Sequence, residues 1–401
     1  MPKLSSMLAV ALCGMLFAAC GGGASSSPKA TPTSVDPPSP TITIAAGQPI
    51  VIGLSAALTG VQATLGTDLA DTAELAANDR GGAIKGHPVK VERADDGCGE
   101  AEKAVRAART LIATSGIVGV IGPMCTMGAQ AANPLYEAAG LVHISPSITR
   151  TDLSAQGERY FFRVAWRDDE QAVVQSQYAT DTLHARSVAL IDDGSPYAKE
   201  LADAFAAAFQ RSGGDVLSRD RIDPAATDFA TLAKRVQGET PDAVVFEGLN
   251  PAGVLLLKAL HEAQYTAAFI APDGVLSLHD FVGAGGSTVE GAFLTGGPMP
   301  SELFVAHFQE RYHRAPATPF VLQTHDAVIA LLTAIESVAV EQNGQLVIDR
   351  AKLADALRRQ SMTGFTGPIQ FDENGDRRTD APGGAGIIVY RVTNGRFVPV
   401  P

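Results

Sequence analysis

Two hydroxyl residues, Thr126 and Thr149, stand at the exits of two short apolar runs, and together they could hold a carboxylate. The run Ile117–Ile121 is short, β-branched and flanked by glycine, the pattern of a buried strand. Gly122 and Pro123 break it, and Thr126 then stands as the cap of a helix over about 127–139. Gly140 ends that helix, residues 141–145 make the next strand, and Pro146 stops it before the polar turn Ser147-Ile148-Thr149. In open α/β sheets, ligands sit outside the carboxyl ends of the strands. A helix N-terminus there offers free N–H groups and a positive dipole end to an anion. Threonine is common as a helix cap with no ligand beside it, so residue type alone leaves both roles open.

Catalytic spacing is missing elsewhere. The chain has no GxSxG, no Walker loop, no HExxH and no GxGxxG after a strand. His261-Glu262 lacks a second histidine four residues on, and the eight histidines are scattered. The acid pairs Asp95-Asp96 and Asp192-Asp193 follow strands and read as turn and helix-dipole residues. The expectation is a protein that is not an enzyme and uses no cofactor or metal.

The elements that must position these hydroxyls alternate in type. Strands are expected at 49–58 and 87–94, helices at 65–79 and 100–114, and then comes the 116–149 unit. The pattern restarts with strands at 160–165, 188–191, 243–246 and 268–271, and helices at 168–183, 199–211, 229–237 and 251–263. Strand 293–295, helices at about 301–312, 320–341 and 349–360, and hairpin strands at 364–371, 386–392 and 397–400 complete the chain. This is an α/β fold of two doubly wound parallel-sheet lobes. The terminal elements must return to one lobe and then the other, so several crossings join them. Lobe 1 is expected over 49–165 plus about 297–365, and lobe 2 over 166–296 plus about 366–401.

The 401 residues, 46% of them hydrophobic, are enough for two cores of this size. A net charge of −12 with no basic run argues against a nucleic-acid partner. Lys3 and the apolar stretch 7–19 form a secretory signal over residues 1–19, too short for a membrane span, which needs about 20 residues. Phe17-Ala18-Ala19-Cys20 looks like a lipoprotein cleavage site, with Phe17 where leucine is usual, and implies lipidation of Cys20. Residues 20–48, rich in Gly, Ser, Pro and Thr, then read as a disordered tether. Signal, anchor and tether together describe an exported protein held at the outer face of the cell membrane or in the periplasm. Cys13 leaves with the signal, and Cys98 and Cys125 remain, for which a disulfide is the economical pairing in an oxidising compartment.

Across about 49–392 the residues match a family pattern. The matching pieces include Ile52-Gly53-Leu54 with Thr59-Gly60, Asn78-Asp79-Arg80-Gly81-Gly82, and Asp95-Asp96-Gly97-Cys98. Val120-Ile121-Gly122-Pro123-Met124-Cys125, Ile144-Ser145-Pro146-Ser147-Ile148-Thr149, Ala271-Pro272-Asp273-Gly274 and Phe365-Thr366-Gly367-Pro368 follow in order. The chain thus resembles the type I periplasmic binding proteins of branched-chain amino-acid ABC transporters, the Leu/Ile/Val-binding group. The resemblance implies two lobes closing on a bound amino acid, a Cys98–Cys125 disulfide, an ABC permease as partner and a monomeric chain. It implies that Thr126, Ser147, Ile148 and Thr149 hold the ligand carboxylate. Tyr197 and Asp273 then lie on the second lobe, with Asp273 receiving the α-ammonium. Leu65 stands where an aromatic often walls the side-chain pocket, and Glu247 where glycine is usual. Glu247 could meet a cationic or hydroxyl-bearing ligand, or pair with a nearby arginine. A sensing module of the same fold, signalling without transport, is the competing role, and the chain shows neither a transmembrane helix nor a DNA-binding helix pair to support it.

Overall fold

The computed structural model describes residues 40–155, 157–379 and 386–401. The signal, Cys20 and most of the tether lie outside the described residues. The tether stops earlier than expected: Thr41–Ile44 is a strand paired antiparallel with Gln345–Asp349. Ile42 and Ile44 alternate inward and are buried in the first core, and that burial orders the segment.

Six strands make the first sheet, in the order Ala83–Ile84, His87–Asp95, Ile50–Ala56, Ile117–Ile121, Val142–Ser145, Phe161–Arg163. All neighbours pair parallel except the short Ala83–Ile84 edge. The central strands are buried along their whole length because helices cover both faces. One face packs Ala63–Asp79, Val321–Val338 and Arg350–Arg359, the other Ala101–Ala113 and Thr126–Ala138. Val321–Val338 is long and apolar enough to cross a membrane, yet 72% of it is buried inside this core.

The second sheet has seven strands, ordered Arg396–Pro399, Ile388–Thr393, Phe293–Gly296, Ala268–Ala271, Ala243–Glu247, Ser187–Asp192, Asp215–Arg221. The five from Phe293–Gly296 onward are parallel, and the C-terminal hairpin adds two antiparallel strands. Cores again lie on both faces.

The chain leaves the first sheet after Phe161–Arg163, returns after Gly296, and crosses once more before Ile388. That last crossing falls later than the expected break at about 365/366. Ser361–Gly364 and Gly367–Gln370 form a hairpin whose Ile369, followed by Phe371, is buried in the first core. Asp376 also stays there, its Oδ1 receiving the buried Arg163 Nε at 2.6 Å. Further strands were not expected, among them the short Ala83–Ile84 and Ser361–Gly364. Asp215–Arg221 is an edge strand of mostly charged and exposed residues, Val340–Gln342 replaces the end of a helix expected over 320–341, and Gln345–Asp349 follows it in the gap before the helix expected at 349–360.

In each sheet the chain runs outward in both directions from one point. For the first sheet this lies between Ile50–Ala56 and Ile117–Ile121, for the second between Ser187–Asp192 and Ala243–Glu247. Such switch points open a crevice at the carboxyl ends of the strands.

Candidate functional site

At the first sheet's switch point, Ile117–Ile121 exits into Gly122, whose φ of +111° is open to glycine and strained for other residues. A Cβ there would lie 2.2 Å from the Ser55 carbonyl oxygen. Past Pro123, Cys125 is disulfide-bonded to Cys98. Cys125, in extended conformation, is the N-cap of the helix Thr126–Ala138, so Thr126 is its first helical residue and not its cap. No side chain caps this helix end. Its first-turn N–H groups therefore keep donor capacity beside the buried Thr126.

The turn after Val142–Ser145 is clamped to this segment. Ser145 Oγ donates to the Pro123 carbonyl at 2.8 Å and accepts the N–H groups of Ile148 at 3.0 Å and Ser147 at 3.3 Å. Ser147 Oγ donates to the Met124 carbonyl at 2.8 Å. Ile148 packs its side chain on Ala129 and Leu153. Thr149 is buried, and its carbonyl accepts the Asp168 N–H at 2.8 Å. Leu65, in the first turn of Ala63–Asp79, is half-buried against the first core.

The second sheet contributes acids. Asp273 follows Ala268–Ala271, is buried, and accepts a hydrogen bond from the Tyr197 hydroxyl at 3.0 Å. Tyr197 sits in the first turn of Pro196–Arg211, which Ser195 caps by accepting the Ala198 N–H. Glu247 ends the strand Ala243–Glu247 and is fully buried. Asp168, Gln171 and Gln175 share one face of the helix Asp168–Gln177, at i, i+3 and i+7, and all three are buried. Gln171 Oε1 accepts from Trp166 Nε1 at 2.6 Å, and both glutamine amides donate to Thr295 Oγ1, at 2.9 and 3.1 Å.

Three carboxyls thus share one desolvated region, and burial pushes all three toward their neutral forms. Burial first, against hydrogen bonds from Gln171 and Tyr197, raises Asp273 to about 6. Burial raises Glu247 well above the usual range, and the charges of Asp168 and Asp273 add to the effect. Burial raises Asp168 likewise, against the Thr149 hydroxyl beside it. Neither Asp168 nor Glu247 has a hydrogen-bonded oxygen: Gln175 lies beside Glu247 but gives its amide to Thr295. Glu247 has no arginine partner among the described residues, which removes one of the roles the sequence left open. Asp168 and the two glutamines escaped the sequence reading. Their signal was the i, i+3, i+7 spacing of polar residues directly after a strand exit.

Thr149, Asp168, Asp273 and Tyr197 form one connected group, so Thr149 of the first lobe meets acids of the second. Gln62 Nε2 reaches the Asn250 carbonyl at 3.3 Å, and Arg150 reaches the Pro196 carbonyl at 2.9 Å and Glu200 at 3.0 Å. Ser147 and Ile148 join this group through the backbone of their turn, and their side chains point to Met124 and Ala129. Leu65 makes no polar contact with it.

The fold and the crevice define a two-lobed binding protein, and comparison with known proteins places it. The family model described as periplasmic binding protein matches residues 49–396. A Leu/Ile/Val-binding protein, BraC3, of Rhizobium johnstonii is 31% identical over 334 residues, covering 82% of this chain and 88% of that one. An amino acid binding protein of Pseudomonas aeruginosa is 29% identical over 330 residues, covering 82% and 87%. Among solved structures, a leucine binding protein LivK from Thermotoga maritima superposes with a TM-score of 0.78 at 24% identity, covering 88% and 98%. The chain belongs to the type I periplasmic binding proteins, in the group of the Leu/Ile/Val-binding proteins. That family is one of exported solute-binding proteins and not of enzymes.

Proposed function

We propose that the protein is the solute-binding lipoprotein of an ABC importer and takes an amino acid in the crevice between its lobes. The ligand carboxylate sits at the uncapped start of the helix Thr126–Ala138, with Thr126, Thr149 and the Ser147-Ile148 backbone around it. The α-ammonium goes to Asp273, which Tyr197 holds in place. The observation that supports this reading is a buried acid, Asp273, held by Tyr197 on the second sheet and linked through Asp168 to Thr149 in the turn that is clamped to the uncapped helix start of the first. A zwitterion needs donors at one end and an acid at the other, and burial of Asp273 without a cation leaves that position to the ligand. Leu65 and Glu247 line the side-chain end. The relatives named for Leu, Ile and Val support the amino-acid class.

Cys20 carries the lipid anchor, the tether lets the binding body reach outward, and the monomeric body hands its ligand to permease subunits in the membrane. A thermal-shift screen of amino acids, amides and small carboxylates tests the assignment. Amino acids should raise the melting temperature, while the matching amines and carboxylic acids, each with one head group, should not. A screen in which a plain carboxylic acid stabilises as well as its amino acid would contradict it.

A further inference from the structure

Glu247 stands at the switch point of the second sheet, at the end of the strand that turns back past Ser187–Asp192, in register with Asp192. Ligands of open α/β sheets collect at that point. Its two carboxyl oxygens have no hydrogen-bond partner, and neither do the two of Asp168 or the Oε1 of Gln175. All three side chains are fully buried. The region therefore presents five bare acceptor atoms beyond those that Asp273 offers to an ammonium. The charged groups facing Glu247 are Asp168 and Asp273. Those facing Asp168 are Asp273, Glu200, Arg163 and Arg150, with the Tyr197 hydroxyl facing both acids; Arg163 is bound to Asp376, and Arg150 to Asp152 and Glu200. No lysine, arginine or histidine among the described residues pairs with Glu247.

Once ionised, these carboxylates are acceptors only, and with the Gln175 amide turned to Thr295 they favour a ligand group made of donors. Ammonium and guanidinium are such groups, whereas a hydroxyl brings lone pairs as well. A cation also lets the acids ionise at low cost, which a neutral donor does not. We propose that the crevice takes an amino compound bearing a second cationic group, and that Glu247 and Asp168 receive that group. This rests on the reading in which Asp273 holds the α-ammonium. Burial holds Glu247 and Asp168 toward their protonated forms when the site is empty, so a dicationic ligand releases protons as it binds.

The test is titration calorimetry of the mature chain with L-arginine, L-lysine, L-leucine and putrescine. L-Arginine or L-lysine should bind at least ~10-fold tighter than L-leucine, and Glu247→Gln should reduce that preference at least ~10-fold. Repeating the titrations in buffers of different ionisation heat should show more protons released by L-arginine than by L-leucine, a readout that needs no variant. L-Leucine binding as tightly as both basic amino acids overturns the inference and leaves the amino-acid reading standing. Putrescine binding where no amino acid binds upholds the second cation and overturns the amino-acid reading. Binding of none of the four overturns both.

Discussion

A buried acid without a partner destabilises the empty protein at the pH where it must ionise, and Glu247 is the clearest instance. Its folded form holds its proton well above the range in which the unfolded chain gives it up. Below the unfolded value both states are protonated and the side chain costs nothing. As pH rises through and beyond that value, the unfolded chain ionises first, and stability falls. Glu247→Gln removes this penalty with little change in shape. The variant should be more stable than the parent at pH 8 by about 1–3 kcal/mol, and the gain should vanish near pH 4. Melting curves of both proteins across that range check it, and a gain that does not change with pH would point to packing. Asp273, raised to about 6 by burial, should behave alike, with Asp273→Asn gaining less because its window is narrower. Of these acids, Asp273 and Glu247 were marked in the sequence by the family resemblance, one as the acid for an ammonium and the other as an acid where glycine is usual. Asp168 was not, because an aspartate at a helix start reads first as a partner of the helix dipole.

At the scale of elements, the helix Thr126–Ala138 is set by what precedes it. The Cys98–Cys125 disulfide spans 27 residues of sequence and ties the helix start to the loop after His87–Asp95. On the chain-entropy view, closing such a loop contributes roughly 3–4 kcal/mol. The Cys98→Ser, Cys125→Ser double variant should lose stability of that order in urea unfolding and bind ligand more weakly, because Thr126 is no longer held. Two free thiols found by mass spectrometry in the exported protein would contradict the bond itself. The central strands were legible because both faces are covered, so they read as unbroken runs such as Ile117–Ile121. The edge strand Asp215–Arg221 was not, since none of its residues is fully buried and four of its seven are charged, as in a surface loop. Val340 and Glu341 were read as the end of a helix because Val340–Gln342 is exposed and carries no burial pattern, and pairing with Gln345–Asp349 is what makes it a strand. The cap at Thr126 was misplaced by one residue because Cys125 holds the extended conformation of the cap while lacking the side-chain oxygen by which caps are read.

Over the whole molecule, the proposed site sets hydrogen-bond donors of one lobe opposite acids of the other. A ligand that contacts both halves favours the closed arrangement, since no other state makes both sets of contacts. The body is joined to the membrane through Cys20 in the proposed arrangement, and several acyl chains on one residue anchor stably where a single chain is marginal. Cys20→Ser should therefore move the protein from the membrane to the soluble fraction on fractionation, and a variant that stays with the membrane would contradict the anchor. The central claim is that an amino-acid head group bridges the lobes, and calorimetric titration of the parent, Asp273→Ala and Thr126→Ala with L-arginine and L-leucine tests it most directly. Asp273→Ala should weaken binding by about 2–5 kcal/mol, the effect of removing one side of a desolvated charge pair. Thr126→Ala should weaken it by about 1.5–3 kcal/mol, the effect of removing a hydroxyl donor to a charged group. Both variants should keep the parent's circular dichroism spectrum. Asp273→Ala binding as tightly as the parent would contradict the account.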